Sequence, residues 1–244
     1  MPDPGRSRLL AGLVLLLWGG TAAAAECVVL LHGLARTASS MQRMERALAA
    51  AGYATANIDY PSREHPVEVL AELAVPKGLK DCRNRESIDT IHFVTHSLGG
   101  ILVRQYLSEH EVPDLGRVVM LGPPNQGSAA VDELQDLPGF DWLNGPAGRQ
   151  LGKGADSVPL KLGPADFELG VIAGNRTIDP ITSAVLDNPD DGRVSVEDTK
   201  LAGMADFVVV EHSHAFMMRM DRTIELTRAF LANGRFSDPT DSGR

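Results

Sequence analysis

The sequence contains little of what nucleic-acid-binding or membrane-spanning proteins need. Of 244 residues, 23 are Lys or Arg and 32 are Asp or Glu, which gives a formal net charge of -9 at pH 7. The basic residues form no stripe along the chain, and phosphate binding needs clustered cations, so nucleic acid is not an expected partner. The N-terminal apolar run, Leu9 to Gly19, is too short for a comfortable transmembrane helix.

This apolar run belongs to the pattern of an export signal. Two arginines precede it, and small residues suited to signal peptidase follow it from Thr21 to Ala25. We therefore expect residues 1–25 to be a signal peptide and the mature protein to be periplasmic or secreted, with no stable membrane span. The alternative interpretation is an uncleaved membrane anchor.

Cysteine is also scarce, with only Cys27 and Cys82 in the chain. An exported protein meets an oxidising compartment, where an even number of cysteines favours disulfide formation. One disulfide bond between them is therefore expected. Two unpaired buried thiols are the alternative.

Short β-branched apolar runs alternate with helical patterns, which predicts an α/β protein with a mostly parallel sheet and helices on both faces. Six strands are expected, at 27–31, 53–58, 87–95, 118–121, 169–173 and 207–210. Ser39, with Gln42 three residues later, predicts a capping box at the start of the first helix. Because no repeat or linker interrupts the pattern, residues 26–236 are expected to form one domain, followed by a polar tail at 237–244.

Residues 122–165 differ from the rest, because Gly or Pro recurs every few residues. Such spacing is incompatible with a long helix. We predict a loop-rich insertion with short helical turns, one of them near Ala129 to Leu134, in place of a large lid.

The strongest chemical signal is Thr95-His96-Ser97-Leu98-Gly99-Gly100, between a predicted strand and a predicted helix. A tight strand-to-helix turn of this kind presents a nucleophilic serine above the sheet edge and needs small residues around it. Gly99 meets this requirement, whereas Thr95 replaces the usual glycine. The pattern favours Ser97 as nucleophile over a simple helix cap.

Acyl transfer also needs backbone amides directed at the developing oxyanion. In this arrangement one amide follows the nucleophile and the other comes from the loop after an earlier strand. The loop Leu31-His32-Gly33-Leu34 follows the first core strand. The amides of Leu34 and Leu98 are therefore the predicted donors.

A general base is expected after the last strand, where His212 and His214 compete. His214 is favoured because it immediately precedes the apolar run that leads into the last helix. His96 adjoins the nucleophile, and we expect its side chain to point elsewhere.

The acid that orients the base is expected after the fifth strand. Asp191 is favoured because Asp191-Gly192-Arg193-Val194 is typical of a carboxylate on a turn, and Asp179 is the second candidate. The acidic stretch before Asp191 departs from the spacing of a calcium-binding loop, so no metal is predicted. No cofactor is expected either.

Together these segments resemble bacterial α/β-hydrolase lipases and small exported lipase- or esterase-like enzymes. His32-Gly33-Leu34 resembles their oxyanion loop, Thr95 to Gly100 their nucleophile turn, and Leu121 to Ser128 a segment beside the active site. Asp191 and His214 resemble their acid and base. The resemblance implies the α/β-hydrolase fold and hydrolysis of acyl esters, either small molecules or lipids, through a Ser-His-Asp triad.

Two alternatives stay open. The first is another serine acyl hydrolase, namely a thioesterase, phospholipase or amidase, because the same triad serves all of them and the pocket decides. The second is a non-catalytic binding protein on the same scaffold. The sequence does not indicate acyl chain length or oligomeric state.

Overall fold

The computed structural model describes residues 25–236, which form a six-stranded sheet in the order β2-β1-β3-β4-β5-β6. Every neighbouring pair of strands is parallel. The strands are β1 (Ala25–Leu31), β2 (Ala54–Ile58), β3 (Ile88–His96), β4 (Leu115–Leu121), β5 (Leu169–Gly174) and β6 (Asp206–Val210). The predicted fold class is confirmed.

Helices cover both faces of this sheet. They are α1 (Gln42–Ala50), α2 (Val67–Arg83), α3 (Leu98–Glu109), α4 (Ala129–Leu134), α5 (Phe140–Arg149), α6 (Val158–Lys161), α7 (Pro180–Ser183) and α8 (Asp221–Asn233). In β1, Val29 and Leu31 pack with α2 and α3, whereas Val28 and Leu30 pack with α1 and α8. Because successive strand residues point to opposite faces, the continuous apolar run of β1 contributes to both cores.

The start of the first helix differs from the prediction. A 3-10 turn at Ala38–Met41 precedes α1, and Ser39 makes no capping bond to the backbone. Its hydroxyl instead lies 2.8 Å from the hydroxyl of Thr37. The predicted capping box is therefore wrong, because the hydroxyl of Ser39 bonds to the hydroxyl of Thr37 and not to a backbone amide of the helix.

The predicted loop-rich insertion is confirmed for residues 122–165, which contain only α4, α5 and α6. The longest of these, α5, is broken at Gly145, where φ is 63° and ψ is -171°. A Cβ at this position would lie 1.9 Å from the carbonyl oxygen of Arg63. Glycine is therefore required both by the backbone conformation and by the close approach of the loop after β2.

Cys27 and Cys82 form the expected disulfide, which joins β1 to α2 with a Cα–Cα distance of 5.8 Å. The predicted signal peptide lies outside the described residues except for Ala25, which begins β1, and so does the polar tail at 237–244. Among residues 25–236, no helix combines the length and the apolar character needed to cross a bilayer.

Candidate active site

Ser97 occupies the sharp turn between β3 and α3. Its backbone has φ 51° and ψ -119°, a left-handed conformation that non-glycine residues rarely adopt. Such strain is characteristic of functional positions that the surrounding fold holds in place. A Cβ at Gly99 would lie 2.7 Å from the carbonyl oxygen of Leu31, so the turn also requires a glycine there. Thr95, the unusual residue of the turn, is fully buried.

His214 and Asp191 form a direct pair, although 23 positions separate them in the chain. Nδ1 of His214 donates to Oδ2 of Asp191 at 2.8 Å, and the amide of His214 donates to the carbonyl oxygen of Asp191 at 2.9 Å. The side chain of Asp191 is fully buried and that of His214 is 11 % exposed. The imidazole is therefore held in one orientation, with its other nitrogen left available.

The turn that carries Asp191 fixes its carboxylate. Oδ1 accepts hydrogen bonds from the amides of Arg193 at 3.0 Å and Val194 at 2.9 Å. Both oxygens thus have partners, which is what a buried carboxylate requires. Charge-assisted bonds of this kind also orient the group that receives them.

Ser97 and His214 line the same cavity, of about 660 Å³, which we call the Ser97 cavity. The loop after β1 and the insertion both contribute residues to its lining. Apolar lining residues from the insertion include Val131, Leu134, Leu137, Phe140, Trp142 and Leu151. A cavity with a mostly apolar wall and a few convergent polar groups is typical of a small-molecule site.

The predicted oxyanion donors are the amide of Leu34, in the loop after β1, and the amide of Leu98, directly after Ser97. Leu34 lines the Ser97 cavity, and Leu98 is the first residue of α3. Among the described residues, neither amide donates to another group of the protein. Unpaired amides beside a cavity can donate to a bound oxygen atom.

The side chain of His96 does not point away from the site, contrary to the sequence-based expectation. Its ring lines the Ser97 cavity and lies 4.7 Å, centroid to centroid, from the ring of His214. Nε2 of His96 donates to the carbonyl oxygen of His214 at 3.0 Å. Burial, together with the neighbouring His214, lowers the pKa of His96 well below its ordinary value. His96 is therefore neutral at pH 7 and supports the loop that carries His214.

The second candidates for base and acid lie elsewhere. His212 does not line the Ser97 cavity, and its Nε2 is buried without a hydrogen-bond partner among the described residues. Asp179 caps α7 by accepting from the amide of Thr182 at 3.2 Å, and it pairs with Arg193 at 3.2 Å. Neither forms the contact that joins Asp191 to His214.

One group of potential metal ligands lies close together within residues 25–236, namely Glu72, Glu109 and His110. All three are exposed, on the outer surface of α2 and α3, and none lines the Ser97 cavity.

Two cationic residues of the Ser97 cavity were not predicted from the sequence. Arg36 follows the Leu34 loop, and Arg193 follows Asp191 on the same turn. Arg36 lies two residues after Leu34, and Arg193 lies two residues after Asp191. This closeness to predicted site residues is the signal by which the sequence could have indicated them.

Comparison with known proteins agrees with the fold. The sequence profile of the alpha/beta hydrolase family matches residues 28–226. No curated protein matches the chain by sequence. The mature lipase BlEst2 of Bacillus licheniformis is similar in structure, with a TM-score of 0.66 and 19% identity over 88% of this chain and 94% of that one.

Two further solved structures are similar. For the metagenomic carboxyl esterase MGS0156 the TM-score is 0.58 at 20% identity, covering 87% of this chain and 69% of that one. For the phospholipase PlaB of Legionella pneumophila the TM-score is 0.61 at 17% identity, covering 81% of this chain and 55% of that one. At such identities the likeness is one of fold.

Proposed function

The chain belongs to the alpha/beta hydrolase family, and from that premise we propose that it is a serine hydrolase that cleaves carboxylic acyl esters. Ser97 is the nucleophile, His214 the general base and Asp191 the acid that orients it. The observation that carries the proposal is the 2.8 Å bond between Asp191 and His214, beside a cavity that the strained Ser97 also lines.

The first half of the reaction forms an acyl-enzyme. The hydroxyl oxygen of Ser97 attacks the ester carbonyl while Nε2 of His214 takes its proton, and Asp191 stabilises the resulting imidazolium. The amides of Leu34 and Leu98 donate hydrogen bonds to the carbonyl oxygen as it becomes negatively charged. The tetrahedral intermediate collapses when His214 returns the proton to the leaving alcohol.

The second half of the reaction releases the acid. A water molecule takes the place of the alcohol and gives a proton to His214 as its oxygen attacks the acyl carbon. The bond to the Ser97 oxygen then breaks, and the proton returns to Ser97. The products are one carboxylic acid and one alcohol, and the enzyme is regenerated unchanged.

The apolar wall of the cavity supports a substrate with an apolar acyl chain. Thioesters and amides would need the same three residues, so the triad does not discriminate among them. Val131, Leu134 and Leu151 offer apolar surface to an acyl chain. A non-catalytic role would leave the strained serine and the oriented imidazole without a purpose.

We also propose that the enzyme acts outside the cytoplasm. Residues 1–25 would serve as an export signal, with 26–236 as the single catalytic domain and 237–244 as a tail. The disulfide between Cys27 and Cys82 supports this, because such bonds persist in oxidising compartments.

Hydrolysis of p-nitrophenyl esters by a matched pair of histidine variants tests the proposal. His214→Ala and Ser97→Ala should each lower kcat/KM by about 1,000-fold or more, because each removes a group that acts in the transition state. His212→Ala should stay close to wild type, since His212 lies two residues away but outside the cavity. Circular dichroism would confirm that all three variants fold.

The proposal fails if Ser97→Ala keeps wild-type activity. It also fails if His212→Ala loses activity while His214→Ala does not.

A further inference from the structure

The charged side chains that line the Ser97 cavity are basic, although the chain as a whole is acidic. The sequence has 32 acidic residues against 23 Lys and Arg. Yet the described residues that line the cavity include two arginines, Arg36 and Arg193, and no carboxylate. The lining therefore carries no acidic side chain, although Asp191 lies buried against His214.

Arg36 lies half-buried with no counter-ion. No described residue forms a hydrogen bond or ion pair with its guanidinium. Burial, with the positive charges of Arg219 and Arg193 nearby, lowers its pKa from the ordinary value. Because a partly buried charge without a partner is unfavourable, an anion in the cavity would be stabilised there.

Arg193 reaches the same cavity from the turn that holds Asp191. Its backbone amide donates to Asp191, while its guanidinium pairs with Asp179 at 3.2 Å and stays half-exposed. Its Nη1 also donates to the hydroxyl of Thr182 at 3.3 Å, and the remaining N–H groups of the guanidinium are available to an anion. The catalytic turn itself therefore places this cation close to the reacting groups.

Arg36 is tied to the reacting groups in a similar way. It lies two residues after Leu34, whose amide is a proposed oxyanion donor, and it lines the cavity with Ser97. A guanidinium recognises carboxylate or phosphate through two parallel hydrogen bonds. Both arginines can thus reach an anion that is only a few atoms from the scissile ester.

The insertion supplies the complementary half of the cavity. Val131, Leu134 and Phe140 from α4 and α5 form an apolar surface with no charge among them. An acyl chain gains affinity with each methylene group that it buries against this surface. With the acyl chain on that side, the alcohol part of the ester is left to the arginines.

We propose that the substrates are amphiphilic esters in which an apolar acyl chain is joined to an alcohol that carries a phosphate or carboxylate, recognised by Arg36 and Arg193. This rests on the proposed function and names the substrate class of the same site. Hydrolysis consumes one water and gives a fatty acid and an anionic alcohol. Arg36 and Arg193 are specificity-determining residues and take no part in proton transfer.

Ionic screening determines how strongly the negative net charge of the chain opposes the binding of an anionic ester in the cavity. The Debye length is about 8 Å at physiological ionic strength, so distant carboxylates repel an incoming anion weakly. A guanidinium in direct contact with that anion is screened much less. The preference for anionic esters should therefore persist at physiological salt.

Three esters with one acyl chain test the proposal: the octanoyl monoesters of glycerol, glycerol 3-phosphate and glycerate. For the wild type we expect kcat/KM to be about tenfold or more higher for a charged ester than for the neutral one, which is the effect of one charge-assisted bond pair. The glycerol phosphate and glycerate arms distinguish a phosphate-bearing from a carboxylate-bearing substrate.

Variants assign the preference to particular residues. Arg36→Gln and Arg193→Gln should each lower the ratio of charged to neutral kcat/KM by about tenfold, and Arg36→Lys should lower it less. Arg85→Gln is the matched control, because Arg85 lies just before β3, at the sheet edge opposite Ser97. The ratio should be unchanged in that variant. Unchanged ratios in Arg36→Gln and Arg193→Gln would overturn the assignment.

Ether analogues separate this proposal from the proposed function. Octylglycerol and its 3-phosphate cannot be hydrolysed, so their binding to the wild type can be measured by calorimetry. We expect the phosphate to bind about tenfold more tightly, and Arg36→Gln to remove the difference. Equal binding of the two ethers would overturn the anion preference even if the neutral ester is hydrolysed. Failure to hydrolyse any ester would instead defeat the proposed function.

Discussion

Gly33 lies where the loop after β1 crosses the nucleophile turn. A Cβ at this position would be 2.6 Å from Nδ1 of His96 and 3.2 Å from Cβ of Ser97. His96 cannot easily give way, because its Nε2 bonds to the carbonyl oxygen of His214 at 3.0 Å. A single methyl group at Gly33 would therefore disturb both the nucleophile and the loop of the base.

Gly33→Ala should consequently lower kcat/KM for ester hydrolysis by about tenfold to a hundredfold, since small displacements of reacting groups have effects of this size. Gly154→Ala is the matched control, because its Cβ would approach nothing closer than 3.7 Å and the backbone conformation is ordinary. Steady-state kinetics on p-nitrophenyl esters measures both. Equal activity in the two variants would contradict this account of Gly33.

At this scale the sequence predicts candidate residue types better than it predicts their contacts. Asp179 and Asp191 both follow β5 in the chain. Only the folded chain turns Asp191 toward His214 and commits Asp179 to the end of α7. The position of the His96 ring was missed for the same reason, because side-chain direction in a strained turn depends on neighbours distant in sequence.

Arg104 connects two elements that the active site depends on. It extends from α3, the helix that begins after Ser97, and its guanidinium is buried. It donates to the backbone of Asn125 at 3.1 Å, Pro159 at 3.0 Å and Gly163 at 2.8 Å. Burial lowers the pKa of Arg104 to about 10, which still leaves it charged at pH 7. It therefore fastens the insertion to the helix that carries the nucleophile.

Arg104→Met should lower the free energy of unfolding by about 3 kcal/mol, because it leaves several buried carbonyl oxygens without donors. Arg83→Met is the control, since Arg83 pairs with Asp114 at the surface and such pairs contribute about 1 kcal/mol or less. Urea denaturation followed by circular dichroism compares the two. Equal losses in both variants would show that Arg104 does not fasten the insertion.

Strands and helices could be predicted where a short stretch of sequence carries the pattern that specifies them. The buried runs of β1 and β5 are continuous and apolar, and the structure has both strands within two residues of the expected bounds. β4 begins at Leu115, three residues before the apolar run. Leu115 pairs with Ile91, and an irregularity at Gly116 and Arg117 separates it from the next pair, Val118 with Phe93. The glycines and prolines of 122–165 predicted short helices, yet they could not indicate that α4 and α5 face the Ser97 cavity.

Over the whole molecule, the candidate site follows from the parallel sheet. Leu34, Ser97, Asp191 and His214 each lie in a segment that follows the carboxyl end of a strand. In parallel sheets these ends share one edge, so segments far apart in sequence converge there. The order of strands and loops in the chain could therefore predict that the site lies at this edge of the sheet. Which side chains bond to each other there could be seen only in the folded structure.

The cationic character of the cavity is also a property of the whole fold. Arg36 and Arg193 are 157 positions apart in the sequence, and both line the Ser97 cavity. The formal net charge of -9 does not indicate that two arginines share this cavity. Charge counted along the chain describes solubility and distant partners, whereas charge counted around a cavity describes its ligand.

Labelling with a fluorophosphonate, followed by mass spectrometry of the peptides, tests the central claim most directly. The probe reacts with a serine only when a neighbouring base activates it and an oxyanion site accepts the developing charge. The account predicts one adduct, on Ser97, in the folded wild type, with much slower labelling in His214→Ala. A folded wild type that acquires no adduct, or one that is labelled at another serine, would contradict it.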